Sequence, residues 1–196
     1  ADPLWLIAAL GTSLLIIVAD AAYWSQSMRP AGLTMRFRTA LLFAIIGWFF
    51  VNIAPSTVGA DVFRAAQMRA AGATTARSIR LVAAARLMSF AALIAVIGLG
   101  LPYASSVVEA PRDRLALAAV FGAALAAFAG LLVSGPLVAR MSARFRRGPA
   151  AFAAELSADV RMLLGKTTPG GWFYLLVQHF LRAGAVLCIG AALGVA

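Results

Sequence analysis

Asp61 and Arg64 stand three residues apart, just after the run FVNIAPSTVGA (50–60), and are the residues of this chain best placed to do chemistry. On a helix that spacing puts carboxylate and guanidinium on one face, where they can pair. Two uses are open. The pair is either a satisfied interfacial ion pair, or the lining of a hydrophilic groove in which Arg64, with Arg86, holds an anionic headgroup phosphate in its planar fork. Freed backbone groups and buried ions each cost on the order of several kcal/mol in hydrocarbon, so a break at Asn52, Pro55 and Gly59 followed by opposite charges suits a chain lining a polar cavity. Bond-making chemistry is not indicated. There is no paired-carboxylate site, no Cys/His metal spacing, no phosphate-cradling glycine loop and no nucleophile constellation, and the only histidine and the only cysteine are His179 and Cys188. The chain reads as a non-enzyme without cofactor or metal, or as the membrane half of an enzyme whose catalytic domain is separate.

The break has an internal logic. Pro55 lacks a backbone donor and disfavours helix in the residue before it, ending an incoming helix near Asn52 or Ile53. Gly59 permits a tight backbone, and Ser56 and Thr57 offer hydroxyls to cap the outgoing helix. Asp61 then falls in the first turn of a helix reaching about Ala71, where a carboxylate suits the positive end of the helix dipole; Gly72 is its stop.

These residues are embedded in a membrane chain. Of 196 residues 63% are hydrophobic and 12% charged, which excludes an ordinary soluble domain. The net charge of +10 would suggest nucleic acid in a soluble protein, but here the arginines lie between apolar segments and read as anchors to anionic lipid headgroups. The expected fold is all-α: a single polytopic membrane domain over 1–196, with long spans at Leu4–Tyr23, Leu81–Tyr103, Leu115–Ala139 and Gly171–Val195. Ala40–Ile53 is short, reaching about 21 Å against roughly 30 Å of hydrocarbon.

Charge counts bear on how that short segment is used. If it spans, the connections divide their basic residues ten against five; if it dips in and returns, the division is thirteen against two, with 24–39, 54–80 and 140–166 sharing a face. The positive-inside tendency favours the second arrangement, a re-entrant hairpin over about 40–71 opening to the cytoplasm, with a short tilted span as the alternative. The expected location is the bacterial cytoplasmic membrane, basic connections inside. Leu4–Tyr23 has no basic region before it and does not read as a signal peptide. The first and last residues read as those of a fragment or a short family member.

Weaker signals remain. Asp20, an acid in the first apolar segment, could pair with an arginine of unspecified position. Gln178, His179 and Arg182 lie at helical spacing in the last segment, either as a polar patch near the interface marked by Trp172 and Tyr174 or as an extension of the cavity. Gly122, Ala126, Gly130 and Ser134 recur every four residues, and Gly190 and Gly194 repeat the pattern. Such faces let helices approach closely, within the chain, in a homo-oligomer or in a larger membrane complex. Arg69, Arg77 and Arg80 read as a solvated basic collar. Within the basic segment 140–166, Phe152, Leu156, Val160 and Leu163 share a face opposite Glu155 and Asp159, which fits an amphipathic helix on the membrane surface, held by the cluster Arg140, Arg144, Arg146 and Arg147.

The run from Asn52 to Arg86 resembles the flippase-like transmembrane family, also called the lysylphosphatidylglycerol synthase transmembrane region: an Asn, a Pro with small residues, Gly-x-Asp, Arg, an Arg-Ala-Ala-Gly turn, and Ala-Ala-Arg-Leu leading into a long apolar helix. The resemblance implies a bacterial or archaeal membrane protein that handles or moves lipids, such as aminoacylated phosphatidylglycerol, hopanoids or polyprenyl-linked sugars. It implies a role for Asn52, Pro55, Gly59, Asp61, Arg64 and Arg86. The family usually has two glycines before the acid, whereas the second is Ala60 here, and the expected second Pro/Gly break in the C-terminal half is missing. Lipids with anionic headgroups are therefore the expected partners, and an accessory subunit of a larger complex is the alternative role.

Overall fold

In a computed structural model of the chain, residues 2–53, 58–108, 110–142 and 148–194 are described, and all their regular structure is helical. The α-helices are α1 (Pro3–Ser27), α2 (Phe37–Ile53), α3 (Val58–Ala70), α4 (Thr75–Val107), α5 (Pro111–Ser142), α6 (Pro149–Lys166) and α7 (Pro169–Leu193), with a 3-10 turn at Arg29–Ala31. Among the described residues, four stretches are long and apolar enough to cross a membrane: Pro3–Ala31, Thr75–Val107, Pro111–Val133 and Pro169–Leu193. Phe37–Val51 is apolar but shorter, as expected. α2 and α4 begin at Phe37 and Thr75, upstream of Ala40 and Leu81. Hydropathy marks the portion that tolerates hydrocarbon, whereas polar Arg38, Thr39 and Arg77 are good enough helix residues to extend the same helices beyond it.

Local chemistry sets the ends. The Asp2 carboxylate accepts from the Leu4 N–H at 2.9 Å ahead of Pro3, and the Thr168 hydroxyl accepts from the Gly171 N–H at 3.2 Å ahead of Pro169. Each is a side-chain cap followed by proline at the first helical position, where no donor is missed. α3 stops as the sequence predicts: Gly72 takes φ +97°, and the Ala73 N–H closes back on the Met68 carbonyl at 3.0 Å.

The chain divides into two compact units, Ala1–Ile79 with Lys166–Ala196, and Arg80–Gly165. In the first, α1 and α7 pack antiparallel. The Asp2 N–H donates to the Ala192 carbonyl at 3.3 Å at one end, and the Thr168 hydroxyl donates to Gln26 Oε1 at 2.9 Å at the other. Small residues set the approach: a Cβ on Gly171 would lie 2.7 Å from Thr167 Cγ2, and one on Gly170 2.8 Å from Gln26 Oε1. Thr167 is buried and β-branched, whereas the Gln26 amide is the free end of a flexible side chain. Gly171→Ala is therefore expected to cost about 1–3 kcal/mol of overpacking and Gly170→Ala distinctly less, measurable as the difference in thermal unfolding in detergent.

α1 also carries α2 through a core of Ala21, Ala40 and Ala44, flanked by Ile17, Met35 and Leu41. α2 and α3 form an antiparallel helical hairpin, in which a Cβ on Gly47 would lie 3.8 Å from that of Ala60 and Phe63 packs against both Phe43 and Phe50 with ring centroids 5.9 and 5.8 Å apart. In the second unit, α5 meets α4 where the Phe121 ring lies over Gly98, and α6 meets α5 through the Ser157 hydroxyl, which donates to the Leu131 carbonyl at 3.3 Å.

α6 covers one stripe of its surface within the second unit. Ala154, Ser157, Val160 and Leu163 are buried, Leu156 is half-buried and Phe152 is exposed. On the same helix, Asp159 meets Arg80 of α4 at 3.1 Å from Nε and Glu155 meets its Nη1. Arg80 is thus part of a polar clamp, and Arg77 donates to the Ala31 carbonyl at 2.7 Å; only Arg69 keeps the plain exposed placement expected of a collar. The side chain of Arg140, and residues 143–147 with Arg144, Arg146 and Arg147, lie outside what is described.

Candidate functional site

The charges that the sequence singles out gather in the first unit, on α1 and α3. Asp20 sits more than four turns into α1, only 8% exposed. Trp24 is four residues on and so lies on the same face. From the first half of α3, Arg64 reaches across: its Nη2 meets Asp20 Oδ2 at 2.7 Å, and its Cζ lies 4.9 Å from the Trp24 ring centroid. Asp61, one turn earlier on α3, is 3.7 Å from Nη1. The expected Asp61–Arg64 pair is present, but the tighter partner is Asp20, 44 residues away.

The electrostatics follow from that list. Two carboxylates face one guanidinium, a formal charge of −1, with side-chain exposures of 11% for Asp20, 17% for Arg64 and 27% for Asp61. Arg64 is engaged on its edges by carboxylates and on its face by the indole, which suits a planar, weakly hydrated cation. Beside the cluster is a cavity of about 10 Å³ lined by Asp20, Trp24, Arg64 and Gln67, with Ala40, Phe43 and Ala44 of α2 among its apolar walls. That is room for about one water and not for a phosphate. Gln67 Nε2 is buried and has no hydrogen-bond partner among the described residues, which gives such a water an unsatisfied donor to meet. Arg64 is thus engaged by Asp20, Asp61 and Trp24.

The other expected site residues are placed as follows. Asn52 lies in α2 with its side chain outside the described part, and Pro55 and Ser56 lie outside the described residues, as does Thr57. Gly59 is the second residue of α3, one before buried Ala60, whose methyl faces Gly47. Arg86 is an exposed residue of α4, in the second unit. On α7, Gln178 is buried with Nε2 unpartnered among the described residues, His179 is half-buried and Arg182 exposed; none of them lines the small cavity. Gly122, Ala126 and Gly130 are exposed on α5, and the side chain of Ser134 is outside the described part. Gly190 is half-buried, whereas Gly194 ends α7 with φ +73°, so its missing side chain serves the cap.

Sequence reasoning missed Trp24 and Gln67. Trp24 carried a readable signal, an aromatic face four residues after a lone acid in an apolar segment. Gln67 follows Arg64 at i+3 and was equally visible as the next polar residue on that face.

Comparison with known proteins adds the context. No curated protein and no solved structure matches the chain. The family whose sequence model matches, over residues 1–196, is described as the lysylphosphatidylglycerol synthase TM region. With its four apolar helices of membrane-spanning length, and with a lipid-related membrane function as the context that family supplies, the chain belongs to the lysylphosphatidylglycerol synthase transmembrane region family.

Proposed function

We propose that the chain binds an anionic or polyprenyl-linked lipid by its headgroup phosphate at Arg64 and assists its passage across the bacterial cytoplasmic membrane, catalysing no reaction of its own. The observation that carries this reading is a charged cluster, Asp20, Asp61 and Arg64, in helices otherwise built of apolar residues, next to a helical hairpin too short to span simply. Because the cluster is closed and formally negative, the phosphate takes the place of Asp20 on Arg64. Arg64 rides on α3 and Asp20 on α1, so parting of α3 from α1 exposes the guanidinium. The hairpin re-enters from the cytoplasmic side, where the basic connections lie.

The test is scrambling of headgroup-labelled lipid in vesicles holding the chain alone, comparing wild type, Asp61→Asn and Arg64→Ala. Scrambling is expected to fall at least tenfold or so in Arg64→Ala, the loss of one strong charge-assisted contact. Equal rates in all three would sink the assignment. A second reading, an accessory subunit of a larger membrane assembly, is favoured by α5, whose Gly122 and Gly130 have nothing within 4 Å of where a side chain would begin and whose Ala126 is exposed. Absence of scrambling together with stable copurification with other membrane proteins would select it.

A further inference from the structure

A phosphate that takes the place of Asp20 on Arg64 leaves that carboxylate without its counter-ion. Asp20 is 8% exposed, and Arg64 is the sole cation among the described residues that line the cavity beside it. Asp61 on α3 carries the same sign as Asp20. α2 brings Ala40, Phe43 and Ala44 to the cavity, while its Arg38 is exposed. The ionisable groups of α7, half-buried Tyr174, His179 and Cys188 and exposed Arg182, do not line it, and Arg77 is held on the Ala31 carbonyl. An ionised carboxylate stranded there is costly and is most readily neutralised by a proton. The charges then balance. The cluster is −1 with Asp20 ionised, and −1 again once a singly charged phosphate and one proton have both entered.

A route for that proton runs along α1. Tyr23 is three residues after Asp20 and Ser27 four after Tyr23, so the two hydroxyls follow one face for about two turns to the end of the helix, near exposed Arg29. Tyr23 is 2% exposed and Ser27 0%, yet neither hydroxyl has a hydrogen-bond partner among the described residues, nor has Gln67 Nε2 on the α3 side. Buried polar atoms are ordinarily satisfied by protein or by ordered water, and the cavity shared by Asp20, Arg64 and Gln67 has room for about one water. A hydroxyl both donates and accepts, so each can hand a proton forward, take one from behind and end unchanged.

We infer that Asp20 is a proton-binding site coupled to the phosphate: Arg64 takes one headgroup phosphate as Asp20 takes one proton, delivered along Ser27 and Tyr23. One O–H bond forms on the Asp20 carboxylate and one breaks in a water at the end of α1. The inference rests on the phosphate contact proposed for Arg64 and adds the ion that accompanies it. Coupling of this kind is reciprocal, so acid must tighten phosphate binding as much as phosphate favours the protonated carboxyl.

The experiment measures binding of fluorescent phosphatidylglycerol, a phosphodiester whose charge stays constant, to the full chain in phosphatidylcholine nanodiscs as the pH is lowered from neutral. Wild-type affinity is expected to rise by up to about tenfold per pH unit, the signature of one proton per lipid, and to level at the affinity of Asp20→Asn. Asp20→Asn itself should bind independently of pH, because the amide stands for the protonated acid, and His179→Gln should keep the wild-type slope. Tyr23→Phe should keep the slope but slow the response to a pH jump by several-fold; an unchanged rate would overturn the route. Arg64-dependent binding that is flat with pH in wild type, or a slope that survives Asp20→Asn or vanishes in His179→Gln, would overturn proton binding at Asp20 while leaving the phosphate contact standing. Equal binding by wild type and Arg64→Gln at every pH would sink the phosphate contact itself, and the coupling with it. The wild-type slope is read without any variant, so a poorly folded substitution does not decide the outcome.

Discussion

Arg64→Ala is expected to destabilise the chain by about 2–4 kcal/mol, because removing one partner of a buried ion pair leaves the other uncompensated. Here it strands two carboxylates: Asp20, 8% exposed near the end of an apolar segment, and Asp61 on the neighbouring helix. The indole of Trp24 loses its cation in the same step. Partial exposure of Asp61 tempers the loss, since water can reach that carboxylate. Asp20→Asn is expected to cost less, about 1–2 kcal/mol, because Arg64 keeps Asp61, Trp24 and an amide oxygen in place of the carboxylate. The cycle completed by Asp20→Asn with Arg64→Gln should show a coupling of at least roughly 1 kcal/mol, as groups in direct contact do. Equilibrium unfolding in mixed micelles reads all four corners, and simple additivity would show that the 2.7 Å contact carries no energy of its own.

Function and stability separate at the same pair. If phosphate replaces Asp20 on Arg64, Asp20→Asn removes the competitor and should strengthen anionic headgroup binding several-fold, about what a single weakened charge-assisted contact allows, while stability falls. A pair that merely satisfies two buried charges gives a fall in stability with no gain in binding. Opposite signs in one variant are therefore the discriminating result.

The helices and the local signals of α3 were legible because they depend on neighbours in sequence. Asp61 and Arg64 at i and i+3, the first-turn acid and the Gly72 stop are all written within twenty or so residues and are found as expected. Contacts between helices were not legible. Asp20 meets Arg64 across 44 residues, and Arg80 meets Asp159 across 79; each acid had several arginines to choose from, and periodicity on one helix does not identify the helix that faces it. A charge in a membrane chain reads as surface by default, and only the packed structure shows which charges have partners.

Arg80 supplies the sharpest test of that last point. Its guanidinium is 16% exposed and holds two acids of α6 that differ in burial, Asp159 at 18% and Glu155 at 57%. Burial should order the consequences. Glu155→Gln is expected to change stability by at most about 0.5 kcal/mol, because an exposed ion pair is screened by water and salt. Asp159→Asn should cost about 1–2 kcal/mol, and Arg80→Ala about 1–3 kcal/mol, since it leaves a mostly buried carboxylate without its partner. The damage should be local: hydrogen exchange along α6 should accelerate in Arg80→Ala while α7, in the other unit, keeps its protection. A basic collar merely resting in headgroups predicts the reverse, with α6 indifferent to Arg80. Exchanging the charges, Arg80→Asp with Asp159→Arg, should restore part of the protection that either single change removes, because the clamp depends on opposite charge across α4 and α6 more than on which helix carries which sign.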